Sequence, residues 1–432
     1  MPSGPGFALV AAMKAWWIAC AWIALLGVDG RGQDVAFQHE GREGTVTTVL
    51  RSAPEWNALD LVVVADGYGA AERARFDADA REVLRLFEEV EPFATYRGLF
   101  NVHLVFLPVA RRGETHLQVR YPQPVPSNRM EFDVRRLHAL VGRATVAAGF
   151  AADLIHVVVN QDRFGGTAHR GGRVSVVSRN RDARNRQHGL DLLLVTAHEL
   201  GHSLGGLVEE RPGDAHGHDD HDDHAPNAAF DRAQTPWEAW LDRDAPLVTS
   251  RQRPPGAAIP FTRGFDPDAT PVGLHEGAAL RARSAWRAQP HCIMRSDAAS
   301  FCVVCREALV VAFHEHARPA ALTEAAVEGG VALSIETWLP PGQAVVRWDL
   351  AEGDDPSLAL RLEAATAAGA RRVVVAPASR VVVRCVVEDT TPWVRGDRAR
   401  VQRALVATLE PPAAAGGSLR EALGEVGGAS GR

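Results

Sequence analysis

Lysine is all but missing from this chain: among its 47 basic residues, Lys14 is the one that is not arginine. A bias of that kind follows coding composition and assigns no chemistry. Charge of a single sign is lacking too, since 47 basic against 53 acidic residues leave a net charge of -6. That removes the strong field by which nucleic acid or an anionic membrane is gathered. No internal repeat is present. Nor does any apolar run reach the ~20 residues that a helix needs to cross a bilayer. The strongest candidate, AWWIACAWIALLGV after Lys14, has the length of a signal-peptide core and gives way to the polar Asp29-Gly30-Arg31-Gly32-Gln33, so secretion with cleavage near residue 32 is the expectation. Translation from Met13 would place Lys14 in a compact positive segment directly before that core. Cys20 lies inside the run rather than after it, which argues against a lipid anchor.

Cysteine is also scarce, with five in 432 residues. Once Cys20 has left with the signal, Cys292, Cys302, Cys305 and Cys385 remain, a set that allows three full pairings. In an oxidising compartment, Cys292 bonded to Cys302 or Cys305 would staple the segment around Met294. The competing reading takes Cys302-Val303-Val304-Cys305 as half of a structural zinc site, but it lacks a second CxxC or a His pair at suitable spacing. A disulfide is therefore expected.

What the chain does contain is 46% apolar residues over a length that accommodates two or three domains, and one segment of concentrated chemistry, HELGHSLGGLVEE, from His198 to Glu210. On a helix, residues four apart share a face, so His198 and His202 can hold one metal ion while Glu199 reaches a metal-activated water. The preceding LDLLLVTA, from Leu190 to Ala197, is apolar enough for a buried helix, and Asp191 suits its first turn. Gly205 and Gly206 then supply a stop and a reversal. Hydrolytic zinc usually takes three protein ligands, and the third is Glu209 or Glu210. The Cys-Ile-Met-Arg segment further on suits a methionine turn at Met294.

Around this segment the pattern is that of an α+β or mixed α/β domain. Strands are expected over Leu59–Ala65, Phe100–Leu107, Asp153–Val159 and Arg173–Ser178, with a helix between the first two carrying Phe76, Ala80, Val83, Leu84 and Phe87. The tract HGHDDHDDH, His216 to His224, reads as a solvated insertion. From Val331 short runs alternate with turns, VALSIET, AVVRWDL, LALRLEA, RRVVVA and RVVVRCVVE, which suggests an all-β, sandwich-like domain. The expected division is a signal peptide at 1–32, a leader at 33–57, a catalytic domain at 58–320, the β domain at 328–410 and a flexible tail at 411–432.

Four patches, in order, resemble the secreted bacterial zinc metalloendopeptidases typified by the IgA peptidase, metallopeptidase family 64: VVVADGYGAAERARFDADA with EPFATYRGLFNVH, VVVNQDRFGG, HELGHSLGGLVEE, and HCIMRSDAASFCVVCREAL. They span roughly Leu59 to Ala312. The resemblance implies a metzincin-like fold, one catalytic Zn2+ on His198 and His202, Glu199 as general base, Met294 in the methionine turn, and a protein or peptide substrate. The usual metzincin spacing would put the third ligand at Val208, which cannot ligate. The family generally has an Asp-Glu pair where this chain has Glu209-Glu210, so Glu209 is aligned with the Asp and Glu210 is the alternative. Arg211 stands where a tyrosine often follows. Asp66, Tyr68 and His291 are read as structural. The rival reading is an inactive, protease-like secreted binding protein that works through its C-terminal β domain; the Glu retained between the two histidines argues against it.

Overall fold

The computed structural model describes residues 33–122, 129–180, 191–212, 224–242, 261, 262 and 264–411. They fall into two compact units: one drawn from Met1–Arg51, Leu59–Leu86 and Phe100–Leu204, the other from Ser52–Ala58, Phe87–Leu99 and Gly205–Arg432. Among the described residues no helix is long and apolar enough to cross a membrane. The signal sequence and all of the His-Asp tract except His224 lie outside the described residues.

The first unit is built on a seven-stranded sheet, in the order β1-β2-β4-β3-β5-β7-β6. Its centre is β3 (Leu59–Asp66), β4 (Phe100–Phe106), β5 (Leu154–Val159) and β7 (Val174–Ser178), all parallel to their neighbours in that group. Every residue of these four strands is buried, as expected of parallel strands covered on both faces. Antiparallel strands close both edges: β2 (Arg42–Arg51) and β1 (Val35–His39) on one side, β6 (Gly166–His169) on the other. The segment expected to be a leader thus supplies two strands. Its TVTTVLR run is rich in the β-branched residues that favour them.

Period-two alternation sorts the side chains between the faces. Val62, Val64, Val157, Val159, Val174 and Val176 join Leu137, Leu140, Val141 and Ala144 in one core. The last four belong to α2 (Val134–Ala148), capped by Asp133 at its start and by the left-handed Gly149 at its end. The opposite face carries His156 and Ser175, and there lie α1 (Arg73–Leu84) and α3 (Leu192–Ser203). Phe76 of α1 packs on Phe106 of β4, with ring centroids 5.8 Å apart. The sheet therefore runs between two helical layers.

In the second unit, α4 (Val303–His316) begins at Cys302 and ends in a buried network in which His314 Nε2 and the Tyr96 hydroxyl both meet Asp389 Oδ2, at 2.9 and 2.6 Å. A hairpin of β8 (His275–Ala278) and β9 (Arg281–Arg287) precedes it. Two three-stranded antiparallel sheets follow. One contains β10 (Ala320–Val327), β11 (Gly330–Thr337) and β13 (Arg372–Val375); the other contains β12 (Ala344–Glu352), β14 (Val381–Asp389) and β15 (Gln402–Leu409).

One expected strand is a helix. LALRLEA belongs to α5 (Pro356–Ala367), with Asp355 accepting from Leu358 N and Pro356 at the first turn. Leu358 and Leu362, four residues apart, are its buried positions. The apolar alternation of the run conceals a capped sequence of strong helix formers. Thr366 and Trp348 exchange hydrogen bonds of 2.7 and 3.0 Å and fix α5 to β12, so this region is not all-β.

Candidate metal centre

The helix that carries the histidines is set by its ends. Asp191 Oδ1 accepts from Leu194 N at 3.0 Å, which satisfies one of the amides that a helix start leaves without a partner. At the other end the β6–β7 turn reaches back: Gly171 N donates to His202 O at 3.0 Å and Arg173 N to Ser203 O at 3.1 Å, covering carbonyls that the helix cannot satisfy. Leu204 closes the helix, and Gly206 takes the left-handed conformation with φ +62°.

Within that frame His198 and His202 bring their Nε2 atoms to 3.1 Å, with the rings nearly perpendicular at 81°. Two imidazole nitrogens on one tetrahedral zinc ion stand about 3.3 Å apart, given Zn–N bonds of about 2.0 Å. The pair therefore fits a shared ion, and imidazole is a preferred zinc ligand. Glu199 is 7% exposed. Its carboxylate lies against Gly166, the first residue of β6; a Cβ there would stand 2.2 Å from Glu199 Oε1. Only glycine leaves room for this carboxylate.

Beneath the helix His156 bridges sheet and helix. Its Nδ1 is 2.8 Å from Ser175 Oγ of β7 and its Nε2 3.1 Å from Thr196 Oγ1 of α3. Full burial lowers its pKa to about 3, so the ring is neutral. In the sequence His156 carries no assigned role, and Gly166 stands only as the last residue of VVVNQDRFGG. The signal for His156 is a histidine inside an otherwise aliphatic strand, DLIHVVV; nothing local ties Gly166 to Glu199.

Beyond Leu204 the chain enters the second unit, where the two carboxylates of the Glu209-Glu210 pair differ sharply. Glu210 is fully buried, and burial holds its carboxyl above the ordinary carboxylate range. Its Oε1 accepts from Asn227 Nδ2 at 3.3 Å, Cys302 Sγ at 3.4 Å and Cys305 Sγ at 3.0 Å. Its backbone N–H donates to Met294 O at 2.9 Å. Glu209 is half-buried and pairs with Arg211 at 2.9 Å. Met294 is fully buried in a tight turn, Ile293–Arg295, closed by Ser296 in the left-handed conformation.

The expected disulfide is not formed. Cys292, Cys302, Cys305 and Cys385 are all free and buried. Three of the thiols converge on Glu210 instead, two of them donating to its carboxylate; three sulfurs around one acceptor do not sort into a pair. The residues read as structural serve in local networks. The Tyr68 hydroxyl donates to the buried Asp79 at 2.9 Å, which also pairs with Arg179 at 2.6 Å. Asp66 accepts from His116 N at 2.7 Å, and burial raises its pKa to about 7. His291 Nδ1 lies 3.0 Å from Asp297.

No curated protein matches the chain. Residues 47–254, which contain β3 to β7, α3 and the Glu209-Glu210 pair, match the family model described as IgA Peptidase M64, a match that supports membership of that family.

Proposed function

We propose that the protein is a secreted zinc metalloendopeptidase in which His198, His202 and Glu209 hold the ion and Glu199 is the general base. The carrying observation is the 3.1 Å convergence of the two Nε2 atoms on a helix whose intervening Glu199 is buried against Gly166. Zn2+ in such a site supplies Lewis-acid activation of water and of the scissile carbonyl.

The protein's own groups do the rest. Glu199 takes a proton from the attacking water and returns it to the leaving amine. The packing of Gly166 against its carboxylate fixes where that proton is collected. His156 and Asp191 hold α3 in place from the sheet side and from its start. Between the two possible third ligands, Glu210 is committed to the thiols and to Asn227, which leaves Glu209, seven residues after His202, as our choice. Met294 is assigned to the methionine turn, and its carbonyl, bonded to the N–H of Glu210, steadies that segment. The substrate class, protein or peptide, follows from the family. β6 ends the strand order of the sheet beside Glu199, and an edge strand there suits an extended peptide chain. Secretion rests on the apolar segment after Lys14.

The test compares wild type with Glu199→Ala and with the double variant His198→Ala/His202→Ala, measuring metal content and cleavage of a protein and peptide panel. Glu199→Ala should keep the wild-type zinc content and lose 10²-fold or more of the activity, on the order of what a general base contributes. The double variant should lose both activity and one equivalent of zinc. Undiminished cleavage by Glu199→Ala, or no cleavage by the zinc-loaded wild type, would overturn the assignment.

A further inference from the structure

We propose that Glu210, Cys292, Cys302 and Cys305 form a second metal site, structural rather than catalytic, that takes Zn2+. Their ligand atoms lie within 4.8 Å of one another, and all four residues are completely buried. With Zn–S bonds of about 2.3 Å, the sulfurs of a tetrahedral site stand about 3.8 Å apart, so a sub-ångström contraction of side chains around the ion completes it. Four protein ligands with no open position are the hallmark of structural zinc.

Backbone amides reach two of the three sulfurs. Cys292 Sγ receives the N–H groups of Met294 and Cys302, at 3.4 and 3.2 Å, and Cys302 Sγ receives that of Cys305 at 3.4 Å. Backbone amides aimed at sulfur stabilise negative charge and orient the ligand. Asn227 does the same for Glu210 Oε1, while Glu210 Oε2 has no hydrogen-bond partner although it is wholly buried. A buried carboxylate oxygen without a partner is costly, and a metal ion supplies one. Zn2+ with three thiolates and a carboxylate leaves two negative charges. The start of α4, where Cys302 caps and Cys305 lies in the first turn, offsets part of this. The buried Arg287, whose positive charge acts on Glu210, offsets more. Binding displaces to solvent the protons that the thiols and the carboxyl still carry.

A disulfide accounts for less. It would use two of the three sulfurs and leave the third, with Glu210, buried and unmatched. CxxC alone is half a site; the fold supplies the other half from Cys292 and from Glu210, far away in sequence.

The experiment uses the full chain with His198→Ala and His202→Ala, so that zinc elsewhere can be counted alone and independently of peptidase activity. About one equivalent of zinc should remain, and a mercurial reagent for thiols should release it. Replacement by Co2+ should give intense thiolate-to-metal charge-transfer absorption in the near ultraviolet, lost in Cys302→Ser. The wild-type chain should show two equivalents, one of them thiol-sensitive, so the result does not depend on the folding of any variant. A chain whose only zinc disappears with the histidines, whether its cysteines are free thiols or its mass is lower by two hydrogens for a disulfide, would overturn the proposal. So would retained zinc that is indifferent to the mercurial.

Discussion

Gly166 and Glu199 form the tightest local dependence in the first unit. An alanine methyl at residue 166 would have to occupy space 2.2 Å from the Glu199 carboxylate oxygen, and since Gly166 also belongs to a strand, the carboxylate is the partner that moves. Gly166→Ala should therefore retain zinc and lose cleavage, by about 10²-fold for a displacement near an ångström. Metal analysis beside steady-state kinetics checks this; unaltered kcat/KM would mean that Glu199 is not held by that contact. His198, Glu199 and His202 were legible in the sequence because helical spacing is a local rule. The burial of Glu210 against Cys302 and Cys305, about ninety positions away, was not, because no local rule links residues so far apart.

Helix α3 is short and nearly all buried, so its ends matter. Asp191→Ala removes the cap bond to Leu194 N and should destabilise the protein by about 1 kcal/mol, read as a lower midpoint in urea with unchanged slope; a midpoint identical to wild type would show the cap to be dispensable. The buried strands β3, β4, β5 and β7 were readable from their aliphatic runs, since parallel strands covered on both faces need no alternation. Two kinds of element were not. β1 and β2 read as a leader because strands toward a sheet edge carry mixed polarity, and LALRLEA reads as a strand because its period-two pattern hides a helix that starts at Asp355-Pro356. Asp355→Ala, by the same capping argument, should cost about 1 kcal/mol in the second unit and reduce helical circular dichroism; a strand at 358–364 would be indifferent to it.

Stability of the protein against pH sums contributions of opposite sign. His156 is neutral in the fold, with its pKa lowered from 6.5 to about 3. The unfolded chain therefore binds the extra proton as pH falls, and stability is lost between about pH 6.5 and 3. Asp66 has its pKa raised from 3.8 to about 7, so the folded state holds the proton, and stability is lost as pH rises from about 4 to 7. They are worth about 5 and about 4 kcal/mol across their windows, and over the shared range they oppose each other. Asp66→Asn, which keeps an acceptor for His116 N, should unmask the histidine: from pH 3.5 to 6.5 its unfolding free energy would climb by about 4 kcal/mol more than that of wild type. Chemical denaturation at several pH values reads this directly, and a variant curve parallel to wild type would place the pH dependence elsewhere.

The bridge from Ser175 through His156 to Thr196 also fixes how hydrogen and deuterium trade places in this molecule. A neutral imidazole carries one ring N–H, and here both ring nitrogens are engaged by hydroxyls in a spot that solvent does not reach. That hydrogen exchanges only when α3 lifts from the sheet. Its proton resonance in heavy water thus becomes a clock for the local opening of the histidine-bearing helix, separable from the global unfolding that frees the amides of β5.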